Sequence, residues 1–173
     1  MSEYGNPQVG RGEWATRGEW LGHRISGVTC GEGIEFCVPG EPVPQGSMKC
    51  VGRVGGVAHQ VLHSNQVGLM AYRNTICAAA LPVRREYGAV TGACRVEAWF
   101  YLSRGDSVRR DLPAVFPDLD KVQRAVGDAL QFSGLIEDDK LICEWVTAKR
   151  YATERAYTRI GVYRLEPIGT LGV

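Results

Sequence analysis

Between Cys94 and Leu102 the chain alternates without a break. Cys94, Val96, Ala98, Phe100 and Leu102 are apolar, while Arg95, Glu97, Trp99 and Tyr101 are charged or amphipathic. A period of two puts the first set on one face of a β-strand and the second set on the other. A strand with one apolar face folds only if a second layer covers that face. A cover is written just downstream. Val122, Ala125, Val126, Ala129, Leu130 and Ser133 recur at i, i+3, i+4 and i+7, which predicts a helix over 119–133 with an inward-facing stripe. Pro117 precedes it, an aspartate stands at the N-cap, and Gly134 sits where a left-handed C′ residue is wanted.

The remaining elements follow in order. Residues 1–33 are rich in Gly and polar residues and carry Arg11-Gly12-Glu13-Trp14, repeated as Arg17-Gly18-Glu19-Trp20. They read as a flexible N-terminal extension ahead of a folded domain over 34–173. Ile34–Val38 alternates as a first strand and stops at Pro39-Gly40. Glu41–Ser47 holds several turn-formers and is expected to wrap the surface. Met48–Val54 and Val57–His63 read as a hairpin across Gly55-Gly56. On a strand, His59 and His63 are spaced too widely for the zinc pair they would imitate on a helix. A second helix is expected from Asn65 to Leu81, striped by Leu69, Tyr72, Ile76, Ala79 and Ala80 and stopped by Pro82. Arg84 and Arg85 then fall just past its end, where cations suit the helix dipole. Leu141–Tyr151 and Ala156–Leu165 read as two more strands, a hairpin joined through Ala152-Thr153-Glu154. The sum is an α+β fold: a mostly antiparallel sheet of five or six strands with two helices on one face.

The chain has 173 residues, long enough for one well-buried domain. Its net charge of +1 argues against a polycation that coats nucleic acid without selectivity, although acidic and basic functional residues cancel in such a total. The six cysteines contain no Cys-x-x-Cys pair, and no signal peptide is visible, so reduced thiols in a cytoplasm are expected. No apolar run is long enough to span a bilayer as a helix.

Acidic residues crowd both ends of the helix over 119–133. Asp118 and Asp120 stand at its start, and Glu137, Asp138 and Asp139 follow its end. One carboxylate at a helix N-terminus is accounted for by capping and the macrodipole. Five are not. Crowded carboxylates repel unless a cation or protons neutralise them, and hard oxygen ligands of this kind suit Mg²⁺ or Mn²⁺. From spacing alone, a metal site and a solvated acidic surface both remain open.

The run Pro117-Asp118-Leu119-Asp120, Arg124, Asp128-Ala129-Leu130, Gly134, Asp138-Asp139 resembles the signature of the RusA family of Holliday-junction resolvases. Val38-Pro39-Gly40-Glu41-Pro42-Val43-Pro44-Gln45-Gly46-Ser47 is similar to the opening strand and turn of phage members. The likeness runs from about Ile34 to Leu165. It implies a small homodimeric, Mg²⁺-dependent endodeoxyribonuclease that resolves four-way junctions by paired symmetric incisions in DNA recombination and repair. Carried over by position, Asp118, Asp120 and Asp139 match the catalytic, metal-holding carboxylates, and Arg124 occupies the place of a functional lysine. Lys121 stands where Asn is usual. Both departures keep or add positive charge, but Arg presents a planar fork rather than a point charge. Lys121, Arg104, Arg109, Arg110, Lys149 and Arg150 are the candidate DNA contacts, by sign and by their nearness to the motif.

The helix should be roughly 20 Å long, at about 1.5 Å per residue. The linker from Gly134 to Asp139 reaches back at most about 20 Å when fully extended. A site within one chain would need a taut return along the whole helix. A two-fold dimer in which Asp139 of one subunit meets Asp118 and Asp120 of the other is the easier solution. Two other functions fit the same residues: a metal nuclease that cuts flaps or forks, and a non-catalytic module that binds branched DNA. A nucleotide transferase using Asp-x-Asp to hold a metal-bound diphosphate fits less well, because no Gly-rich phosphate loop accompanies the motif.

Overall fold

The computed structural model describes residues 28–46, 49–54, 57–61 and 66–167. The tryptophan repeat, Gly55-Gly56 and His63 lie outside the described residues. The elements are β1 (Val28–Pro39), β2 (Lys49–Val54), β3 (Val57–Val61), α1 (Gln66–Tyr87), β4 (Cys94–Leu102), α2 (Leu119–Phe132), a short 3₁₀ turn (Asp139–Leu141), β5 (Ile142–Tyr151) and β6 (Tyr157–Pro167). The α+β class is as expected.

β4 is the middle of the molecule. Its alternate residues are buried as the pattern predicts, with Cys94, Val96, Ala98 and Phe100 fully enclosed. The sheet has four strands in the order β1-β6-β4-β5, and β2 and β3 pair apart from it as the expected hairpin. This corrects two expectations. Among the described residues the main sheet has four strands rather than five or six, and β5 and β6 are not a hairpin, because β4 lies between them. The physical reason is α2. It carries the chain back along the sheet, so β5 starts beside Cys94 and runs parallel to β4. A parallel neighbour needs such a crossover. The chain then passes the end of β4, where the amide of Ala152 donates to the carbonyl of Leu102 at 2.8 Å, and β6 returns antiparallel along the opposite edge.

β1 begins at Val28, and its backbone pairs with β6 from Val28↔Pro167 to Pro39↔Tyr157. The expected domain boundary at residue 34 therefore falls inside a strand.

Pro82 does not stop α1, which runs on to Tyr87. A proline inside a helix removes one backbone donor. The extra turn is held by burial of Val83 in the core, and by Arg84, whose Nη1 donates to the carbonyl of Ser133 at 3.2 Å. The helix ends at Gly88, with φ +79° and an amide donating to the carbonyl of Arg84 at 2.9 Å. A left-handed glycine in this role is a common helix stop.

Both helices cover the same face of the sheet. Ile76, Ala80 and Val83 of α1 and Val122, Val126 and Leu130 of α2 join Phe100, Ile160 and Val38 in one core. Tyr72 of α1 reaches across this core to Thr158 of β6, their hydroxyls 2.7 Å apart, so a buried polar pair is satisfied internally.

The inward and outward faces of α2 differ enough to measure. Leu130 is fully buried and Phe132 is 80% exposed. Leu130→Ala is expected to destabilise by about 2–5 kcal/mol and Phe132→Ala by less than about 0.5 kcal/mol in urea unfolding.

Candidate functional site

At the N-terminal end of α2, Asp118 occupies the N-cap position with extended backbone, φ −67° and ψ 136°, yet its side chain makes no capping hydrogen bond. Its carbonyl accepts the first helical bond from Val122, and its carboxylate instead meets Lys121 Nζ at 2.6 Å. The hydrogen bond from Lys121, and then its charge, hold the Asp118 carboxyl below the ordinary carboxylate range, and the same contact raises the ammonium. Asp120 stands exposed in the first turn, and Arg124 stands exposed one turn further along the same face. The third member of that face, Asp128, pairs with Arg73 of α1 and so ties the two helices together.

This end is well braced. Lys149 on β5 donates to the carbonyls of Val115 at 2.6 Å and Pro117 at 2.8 Å, fixing the loop that leads into Asp118. The turn-rich segment after β1 lies where it was expected to wrap. The amide of Gln45 donates to the carbonyl of Lys121 at 3.1 Å, and Glu41 accepts from the amide of Ser103 at 3.1 Å. Sequence reasoning gave Lys149 only a DNA-contacting role. Its part in shaping the loop depends on the β5 register, and no local pattern announces it.

The second acidic group lies at the other end of α2. Gly134, at φ +70°, turns the chain, and Leu135 and Ile136 are buried. The amide of Glu137 donates to the carbonyl of Val90 at 3.1 Å, which anchors the turn. Asp138 caps the 3₁₀ turn by accepting from the amide of Lys140 at 3.0 Å, and it pairs with Lys140 Nζ at 2.7 Å. These contacts, the side-chain bond first, pull its carboxyl below the ordinary range. Asp138 is thus spent on local structure, while Asp139 opens the turn exposed to solvent.

The two groups are far apart within one chain. Asp118 adjoins the Lys149 end of β5, whereas Asp139 precedes its first residue, Ile142. Seven residues of strand at about 3.3 Å each put roughly 23 Å between those levels. Among the described residues, no three His, Cys, Asp or Glu side chains of the chain are grouped to hold a metal ion. Asp118 and Asp120 stand together, and Asp139 does not join them in the single chain.

The candidate DNA contacts gather mainly at the Asp118 end. Arg104 lies over the ring of Tyr151 at 5.3 Å, and its Nη2 donates to the carbonyl of Arg110 at 3.0 Å. Arg150 lies over Trp99 at 5.6 Å. Arg109 and Arg110 are exposed on the same loop. Guanidinium groups held over aromatic rings, Arg104 on the loop after β4 and Arg150 near the end of β5, keep their charge while losing freedom. Arg159 is different: it pairs with Glu35 across β1 and β6 at 2.7 Å and belongs to the sheet.

The family model described as Endodeoxyribonuclease RusA matches residues 39–163, which is most of the chain and includes both acidic groups. No curated protein matches the chain.

The Asp118–Lys121 pair makes a direct prediction. A carboxyl with a depressed folded-state pKa contributes at pH values above its ordinary pKa, and that contribution is lost as pH falls through the folded value. In a carbon-detected NMR titration, Asp118 should therefore titrate below the ordinary carboxylate range. Lys121→Ala should move it upward toward that range while leaving Asp138 unchanged.

Proposed function

The chain belongs to the RusA endodeoxyribonuclease family, and on that premise we propose that it is a Mg²⁺-dependent resolvase of four-way DNA junctions, working as a homodimer with sites shared between subunits. Its reaction class, hydrolysis of DNA phosphodiester bonds, is that of the family. The observation that carries the finer reading is the placing of exposed carboxylates at the two ends of one rigid helix. Asp118 and Asp120 of one subunit, joined by Asp139 of the other, make a hard-oxygen set of the size Mg²⁺ accepts, with Mn²⁺ as a substitute. When bound there, the metal would supply a Lewis acid at the scissile phosphate and a lowered pKa for attacking water.

The chain's own groups do the rest. Lys121, kept cationic by Asp118, and Arg124, one turn along from Asp120, are placed to steady the charge that builds on the phosphate. Arg104, Arg109, Arg110 and Arg150 hold the backbone beside the cut. Lys149 serves them indirectly by bracing the loop. Two equivalent sites about a two-fold axis match the approximate two-fold symmetry of a four-way junction, so opposed strands can be cut in a paired way. Selection rests on branched shape, with phosphate contacts setting position and salt dependence.

Purified protein incubated with a synthetic mobile four-way junction tests this reading. Symmetric nicks are expected with Mg²⁺ and none with EDTA, and Asp120→Asn should lower cleavage by at least about 100-fold, a loss of roughly 2.7 kcal/mol. Preferential cutting of flaps or forks would transfer the proposal to those substrates. Binding of the junction without Mg²⁺-dependent cleavage, unchanged in Asp120→Asn, would overturn it.

A further inference from the structure

We infer that Phe116 is a wedge that enters the base stack of a branched DNA substrate beside the cut. This rests on the junction reading above and names the side chain through which branched shape is read. The loop between β4 and α2 is tied down at several points. Arg104 Nη2 donates to the carbonyl of Arg110 at 3.0 Å, and Pro113 and Pro117 are buried. The ammonium of Lys149 takes the carbonyls of Val115 and Pro117, one on each side of Phe116. Between the two buried prolines, Ala114, Val115 and Phe116 are all exposed. Phe116 is 73% exposed, with Leu112 at 58% and Val115 at 39% beside it in the chain. A phenyl ring is stabilised by burial, and a slack loop would fold it down. Moving the backbone of Phe116 inward would break the two bonds to Lys149, so the frame itself keeps the ring outside. Apolar side chains grouped on a fixed, exposed frame mark a binding surface.

The surrounding charges identify what the ring meets. Arg104, Arg109 and Arg110 precede the apolar group and Lys121 and Arg124 follow it, with Asp106, Asp111 and the site carboxylates Asp118 and Asp120 interspersed. DNA offers both kinds of partner at once: phosphates for the guanidinium groups and stacked bases for the ring. Proteins that deform DNA insert Phe or Leu between base steps, and unstacking costs least where pairing is already interrupted. A branch point is such a place, whereas continuous duplex resists entry. Phe116 stands two residues before Asp118, so their Cα atoms are at most about 7 Å apart. That span covers about two base steps of 3.4 Å, which sets the insertion within about two nucleotides of a phosphate held at Asp118. The ring thereby couples cutting to branching: a strand settles at the carboxylates only where the adjoining step can open.

The wedge is readable without cleavage. Full-length Asp120→Asn protein is mixed with an immobile four-way junction carrying 2-aminopurine, a base whose fluorescence rises on unstacking, in either of the two pairs next to the branch point. Binding should raise that fluorescence at least about twofold. Adding Phe116→Ala should abolish the rise and weaken junction binding at least about fivefold, the low end of what base–aromatic stacking contributes. Affinity for linear duplex of the same length should change by less than about twofold, and Phe116→Trp should restore both junction signals. The sedimenting species of the free protein should be the same throughout. No fluorescence rise in the parent, an undiminished rise in Phe116→Ala, or an equal loss of affinity for linear duplex would overturn the inference. A change in sedimentation would also overturn it, by placing the ring against a second protein surface. If Phe116 governs unstacking but the wild-type chain never cleaves junctions with Mg²⁺, the wedge stands and the nuclease reading fails.

Discussion

The packing of α2 against the sheet is the constraint from which the rest follows. Val122, Val126 and Leu130 are sealed in the core, so the helix is fixed in both position and rotation. Its length then becomes a fixed spacer of about 21 Å between the Asp118 end and the Asp139 end. The same rotation leaves Asp120 and Arg124 in solvent and gives Asp128 to Arg73. A single amphipathic pattern therefore builds the core, exposes one pair of carboxylates and keeps the other acidic group away from it.

Keeping them apart has an electrostatic advantage in the single chain. Each end settles part of its charge locally, Asp118 with Lys121 and Asp138 with Lys140, and among the described residues no three carboxylates are grouped. In the proposed dimer the repulsion would be deferred to the assembled pair, where a divalent cation would offset it. On that proposal assembly and cation binding would be coupled, because each would lower the free-energy cost of the other.

Local periodicity made much of this legible in advance. β4 and α2 were bounded almost to the residue, because an unbroken alternation and an unbroken 3.6-residue stripe each admit one solution. The β2–β3 hairpin was legible from Gly55-Gly56 between two runs. Strand order was not. Whether β5 pairs with β6 or with β4 depends on the crossover through α2, and a hairpin-like spacing in sequence is silent on that. Pro82 misled for a related reason: its local cost is certain, but the compensation from Val83 in the core and Arg84 on Ser133 is tertiary. At the site, the acidic residues were visible as residue types, and the arithmetic of helix against linker already separated them. The bracing by Lys149, Gln45 and Glu41 comes from register and fold, which local sequence does not encode.

The central claim is that carboxylates from two subunits complete one site, and mixing two inactive variants tests it most directly. Asp118→Asn and Asp139→Asn chains, unfolded together in equal amounts and refolded, form hybrid dimers in about half of the population by statistics. If sites are shared, each hybrid holds one intact site and one doubly altered site, so the mixture should recover about a quarter of the wild-type sites and nick junctions with Mg²⁺. Each variant alone should stay inactive. A mixture with verified hybrids that remains as inactive as its parents would contradict the account.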